Sequence, residues 1–156
     1  MKRLRSMIVV LGLVFAAGSL AWAQTNPFVG TWKLDVAASK FQPGTPPQSQ
    51  MRTWDADGNV SVTAVSQSGK TATYGYTIKT DGKPHPSGDT VPNGADTLTA
   101  RNVSSHLIRA TFTRRGKVVE HTTFTVSKDG KALVIVAKGV RPNGEAFSNE
   151  MHYEKQ

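Results

Sequence analysis

The stretch Asn26-Pro27-Phe28-Val29-Gly30-Thr31-Trp32-Lys33-Leu34-Asp35 (NPFVGTWKLD) decides the fold. Phe28, Gly30, Trp32 and Leu34 alternate with Val29, Thr31 and Lys33, which places the first set on one face of a β-strand and the second on the other. The face with Phe28, Trp32 and Leu34 is the one to be buried. Turned inward in a closed sheet, Phe28, Gly30 and Trp32 form a structural plug across one end, because a buried indole usually serves packing.

Upstream, MKRLRS is basic, and the run Met7 to Leu20 is apolar and uncharged before Ala21-Trp22-Ala23, a small-x-small cleavage pattern. Residues 1–23 read as a signal peptide of the general secretory type, and 24–156 as the mature domain. The chain has no cysteine, so neither a lipid-modified cysteine nor a disulfide is available to it. A periplasmic or secreted protein without a membrane anchor after cleavage is expected. The mature part, about 130 residues, suits one domain with its own core.

Downstream, β-branched and aromatic residues alternate with polar ones from Met51 onward. Turn dipeptides punctuate them: Asp57-Gly58, Ser68-Gly69, Asp81-Gly82, Asn93-Gly94, Arg115-Gly116, Asp129-Gly130 and Asn143-Gly144. Strands are expected near 28–35, 51–55, 59–66, 71–79, 96–102, 106–115, 117–127, 131–138 and 145–154. Ala72, Tyr74, Tyr76 and Ile78 share one face. No apolar repeat of helical period follows the signal peptide; Val36 to Phe41 is read as one short turn before Pro43. The Pro-containing segments Gln42 to Gln50 and Lys83 to Asp96 are read as exposed, mobile connections. The order and the short turns predict an all-β fold, an antiparallel up-and-down β-barrel of about eight to ten strands, in which closure removes exposed edges.

The ends of the chain carry a resemblance. Phe28-Val29-Gly30-Thr31-Trp32-Lys33-Leu34 resembles the G-x-W opening strand of the lipocalin (calycin) superfamily, and is most similar to its fatty-acid-binding branch. Tyr153-Glu154-Lys155 resembles the Y-E-K ending of that branch, and Asp129-Gly130-Lys131 its last-but-one hairpin. The pattern also resembles small exported bacterial proteins with lipocalin-like domains, most of which have no established activity. The resemblance implies a ligand cavity inside the barrel. Two departures stand beside it. Val36 to Gln50, with Pro43, Pro46 and Pro47, has no room for a helical lid. Met151-His152-Tyr153 occupies the place of the family's R-x-Y carboxylate anchor, keeping the tyrosine and replacing the arginine.

Other chemistry is sparse. His85, His106, His121 and His152 show no metal-ligand spacing, although His121 and His152 could meet across strands. No serine sits in a nucleophile elbow, and no glycine-rich loop is built for phosphate. Glu120 and Glu150 are read as exposed strand charges. The positive charge, +8 over the whole chain, is dispersed rather than clustered with aromatics, which argues against nucleic acid. No catalytic residue, metal or cofactor is expected. The candidate cavity residues are Tyr74, Tyr76, Phe112, Phe124, Met151 and Tyr153. Arg109 is the first basic residue to test as an anion partner, although its parity with Ile108, Ala110 and Phe112 points it outward. The function expected is non-catalytic binding or sequestration of a small apolar or amphipathic ligand. The alternative is a protein-interaction or inhibitor barrel of the cell envelope, similar to the exported barrel inhibitors of metalloproteases.

Overall fold

The computed structural model describes residues 26–88 and 91–156, so the proposed signal peptide and its cleavage site lie outside the described residues. Ten antiparallel strands follow one another: β1 (Gly30–Gln42), β2 (Ser49–Trp54), β3 (Asn59–Val65), β4 (Thr71–Thr77), β5 (Asp81–Pro86), β6 (Thr97–Ser104), β7 (Leu107–Arg114), β8 (Lys117–Val126), β9 (Ala132–Val140) and β10 (Ala146–Lys155). They form one sheet in the order β4-β3-β2-β1-β10-β9-β8-β7-β6-β5. Every neighbour is a sequence neighbour except β1 and β10, whose pairing brings the two ends of the chain together. The up-and-down all-β fold expected from the alternation is therefore the fold observed.

The sheet curls into a half-barrel. Trp54 on β2 meets the ring of Phe124 on β8 edge-on at 5.5 Å between centroids, and Tyr76 on β4 meets Phe112 on β7 at 5.7 Å. These rings belong to strands far apart in the sheet order, so the inner face is folded upon itself. Closure by hydrogen bonds is not complete, because β4 and β5 are the two ends of the order. Edge protection comes instead from composition: β5 carries Pro84 and Pro86, which cannot donate to another strand.

Four local readings change. β5 falls partly in the segment read as a loop, and Asp81-Gly82 lies inside it rather than at a hairpin. β1 runs on through Val36 to Gln42 as a strand with an irregularity: Asp35 opposes His152, yet Lys40 already opposes Glu150. The extra residues are held by Ser39, whose hydroxyl donates to the Asp35 carbonyl (2.6 Å) and accepts from the His152 N–H (3.0 Å). The bulge satisfies the backbone groups that the broken ladder leaves unpaired. The β5–β6 connection is not exposed throughout, since Ser87, Val91 and Ala95 are buried. The Ser87 hydroxyl donates to the Ala95 carbonyl at 2.8 Å and fixes the two sides of the loop to each other. Lastly, His121 and His152 do not meet; the first hydrogen-bonds Thr111 and the second Glu150.

The opening stretch closes one end. Phe28, Trp32, Trp54 and Phe124 are all buried there, with Trp32 fully enclosed. Its indole N–H donates to the Phe28 carbonyl at 2.9 Å, so the buried polar tip is satisfied. The Lys155 ammonium lies 4.9 Å from the Trp32 ring centroid, a cation–π contact between first and last strands. Gly30 has φ +142°, and a Cβ there would stand 2.6 Å from Lys155 Cε. The glycine thus gives the lysine its path over the indole, which links the G-x-W and Y-E-K stretches physically.

Candidate functional site

Inward positions on β2, β4, β7, β8 and β10 converge toward the opposite end from the tryptophans. There they enclose a cavity of about 170 Å³, closed over by Val91 and Asn93 of the β5–β6 loop and flanked by Phe41, Arg141 and Phe147. A larger depression of about 570 Å³ sits outside the closed end, over Phe28, Trp54, Ile78 and Ile108. Its floor is packed core and its rim is Asn, Ser, Thr, Asp and Lys, with no buried charge. The chemistry is in the smaller cavity.

Arg52 is the central group. It lies on β2 between Gln50 and Trp54, all three buried, while Met51 and Thr53 between them are exposed. The guanidinium is 3% exposed and donates through Nη1 to the Tyr76 hydroxyl oxygen at 2.6 Å. It stands 5.5 Å from the Tyr153 ring centroid and 6.0 Å from that of Tyr76. Among the described residues no carboxylate lies within ion-pair distance of it, and its Nε is buried without a partner. Burial works to lower its pKa; the oxygens of Tyr76, Tyr153 and Tyr74 outweigh this, so the net direction is up and the group stays charged. A buried cation with one hydrogen bond for five N–H donors is expensive unless something else completes it.

Across the cavity, Glu120 on β8 accepts from Asn93 Nδ2 (2.7 Å) and from the Thr122 hydroxyl (2.5 Å). Burial pushes its pKa up; the hydrogen bonds from Thr122 and Asn93 and the Arg52 charge pull the other way without cancelling it. The reading of Glu120 as an exposed charge is corrected. A bulge opposite Phe112 and Thr113 leaves Val119 as the extra residue, and Glu120 shares its parity with the buried Thr122, Phe124 and Val126. Asn149 on β10 completes the polar wall, its Oδ1 buried and unpartnered. Burial also raises the pKa of Tyr74, and likewise that of Tyr76, with the Arg52 charge opposing in both cases. Both phenols keep their protons near neutral pH, and that of Tyr76 accepts from Arg52.

Of the residues singled out from sequence, Tyr74, Tyr76, Phe112 and Met151 line this cavity. Tyr153 lies beneath it, its hydroxyl donating to Gln50 Oε1 at 2.7 Å and lying 3.7 Å from Met151 Sδ. Phe124 is placed elsewhere, packed on Trp54 near the closed end. Phe28, Gly30 and Trp32 are at that end, as described above. Arg109 is exposed and takes no part. Arg52, Gln50, Glu120 and Asn149 were missed; the signal was parity with the neighbouring Trp54, with Thr122 and Phe124, and with Met151 and Tyr153. Among the described residues no group of three or more His, Asp or Glu side chains is placed to hold a metal.

No protein-family model matches the sequence, and no curated protein matches it. Among solved structures, the chain is similar to the zebrafish ileal bile acid-binding protein in complex with cholic acid. The two share 14% identity over 83% of this chain and 99% of that one, with a TM-score of 0.47.

Proposed function

We propose that this protein is a non-catalytic container for a small amphipathic molecule bearing a carboxylate, exported to the cell envelope or beyond. The acidic group sits on Arg52, and the apolar part lies against Tyr74, Phe112, Ile135 and Met151. The observation that carries this reading is the buried Arg52 guanidinium, whose remaining N–H groups have no acceptor among the described residues. Charge-assisted bonds to a carboxylate are the arrangement such a group favours.

Size narrows the ligand. A cavity of about 170 Å³ has room for roughly five or six waters at about 30 Å³ each, below the usual range for drug-sized ligands. A benzoate-sized acid is the scale that matches; a sterol or long acyl chain would have to displace the β5–β6 loop. The test is calorimetric titration of the full chain with small aromatic and short aliphatic carboxylates. Binding should weaken at least about tenfold in Arg52→Gln, the loss of one charge-assisted hydrogen bond. Retained affinity in a folded Arg52→Gln variant would refute the assignment. Cell fractionation of the tagged native protein tests export separately.

A further inference from the structure

Arg52 does not stand alone in its cavity, and the second charge constrains the ligand further. Glu120 lines the same wall system from β8, with Asn149 from β10 beside the cavity. Among the described residues, the buried side-chain polar atoms without a hydrogen-bond partner are Arg52 Nε, a donor, and Asn149 Oδ1, an acceptor. Both belong to residues that line this one cavity, where Arg52 has N–H groups without acceptors and Asn149 has a carbonyl without a donor. Glu120 adds acceptor capacity, since each of its oxygens takes a single hydrogen bond, from Asn93 and from Thr122.

Charge balance sharpens this. Arg52 and Glu120 together are neutral when both are ionised, and Arg141 at the mouth is already paired with Glu145. A monoanion added to that pair leaves the enclosed cavity with a net negative charge, which a poorly solvated interior disfavours. A ligand with an anionic and a cationic group leaves the sum at zero and gives each protein charge an opposite partner. We infer that the ligand is a small zwitterion, its carboxylate on Arg52 and its ammonium on Glu120 and Asn149. This rests on the reading of Arg52 as the anion anchor.

The test uses two probes of nearly equal size on the full chain: para-(aminomethyl)benzoate, a zwitterion, and para-toluate, which lacks the ammonium. At neutral pH the zwitterion should bind at least about tenfold more tightly, as expected when an enclosed charge gains a partner. In Glu120→Gln the order should reverse, because the cavity then carries only the Arg52 charge.

A second measurement needs no variant. The wild-type preference should shrink in acidic buffer as Glu120 takes up a proton. The groups facing Glu120 are Arg52 from β2, Tyr74 and Tyr76 from β4 and Arg141 beside the mouth. Asn93 and Thr122 are its uncharged partners, and Phe112 and Gly139 its strand neighbours.

Equal binding of the two probes, or tighter binding of para-toluate, at neutral pH would overturn the zwitterion assignment while leaving Arg52 as anchor. A preference that does not change in Glu120→Gln or with acid would overturn the role of Glu120. Absence of binding by both probes, or binding unaffected by Arg52→Gln, would overturn the anchor and the inference together.

Discussion

Replacing Arg52 and Tyr76 together by Met and Phe should make the protein slightly more stable while abolishing anion binding. Arg52 is buried and its charge meets one hydroxyl, at 2.6 Å, and two ring faces. Burying such an ion costs several kcal/mol even after relaxation. Against this stand one hydrogen bond from a charged donor, about 1.5–3 kcal/mol, and the ring contacts, about 1–2 kcal/mol. Arg52→Met alone removes the ion but orphans the Tyr76 hydroxyl, which has no other partner among the described residues, at a cost of about 1–3 kcal/mol. That single variant should be about 1 kcal/mol less stable than wild type, the relief and the losses nearly balancing. Tyr76→Phe alone strips the guanidinium of its one hydrogen bond and should cost about 2–3 kcal/mol. The double variant removes both partners and orphans neither, and should gain about 1 kcal/mol, a rise of roughly 4 °C in Tm for a domain of this size. Equilibrium urea unfolding of the four proteins, read as a double-mutant cycle, gives the coupling directly. A double variant more than about 2 kcal/mol below wild type would show that Arg52 is held there to build the fold, and the binding argument would lose its premise.

Two further outcomes can be checked on purified protein. Gly139→Ala should cost about 2–3 kcal/mol, because a Cβ on β9 would run into the Val119 carbonyl and come within 2.9 Å of the Glu120 Cα at the β8 bulge; an unchanged urea midpoint would refute the close approach. Glu120→Gln should be more stable than wild type at neutral pH and equal to it in acid. The native pKa of Glu120 lies above the ordinary 4.5, so its contribution is fully present below about 4.5 and lost as pH rises through the native value; a stability difference that grows toward acid would refute the sign.

What the sequence made legible was the set of features that obey local rules. The alternation around Trp32 and Tyr76 and the turn dipeptides at Asp57-Gly58, Asp129-Gly130 and Asn143-Gly144 suffice to place most strands. β5 escaped because Pro84 and Pro86 are loop residues by propensity, and only the sheet order reveals an edge strand, where proline is tolerated. β1 escaped beyond Asp35 because its bulge, held by Ser39, breaks the period of two. The cavity's polar side was hidden differently. Arg52 and Glu120 are charged residues at inward parity, and composition alone assigns such residues to solvent. Their burial follows from neighbours at spacing two, Trp54 and Thr122, and so requires trusting the pattern over the residue type. Ser87, Val91 and Ala95 read as exposed because their burial comes from tertiary packing that turn composition does not show.

Three inward-facing series make the same change along the barrel. On β2 the order from the closed end is Trp54, Arg52, Gln50; on β8 it is Val126, Phe124, Thr122, Glu120; on β10 it is Tyr153, Met151, Asn149, with the buried Phe147 beyond at the cavity's flank. Each begins with apolar or aromatic packing and becomes polar or charged within one or two inward steps. A core selected for stability alone would have continued the first half, since apolar side chains of similar volume fill such positions at no desolvation cost. The polar half therefore spends stability, and it does so coherently, on three strands at one level and beneath one loop. The aromatic end holds the curl of the half-barrel and the Lys155–Trp32 contact ties β10 to β1, while the other end carries the unpartnered Arg52 Nε and Asn149 Oδ1.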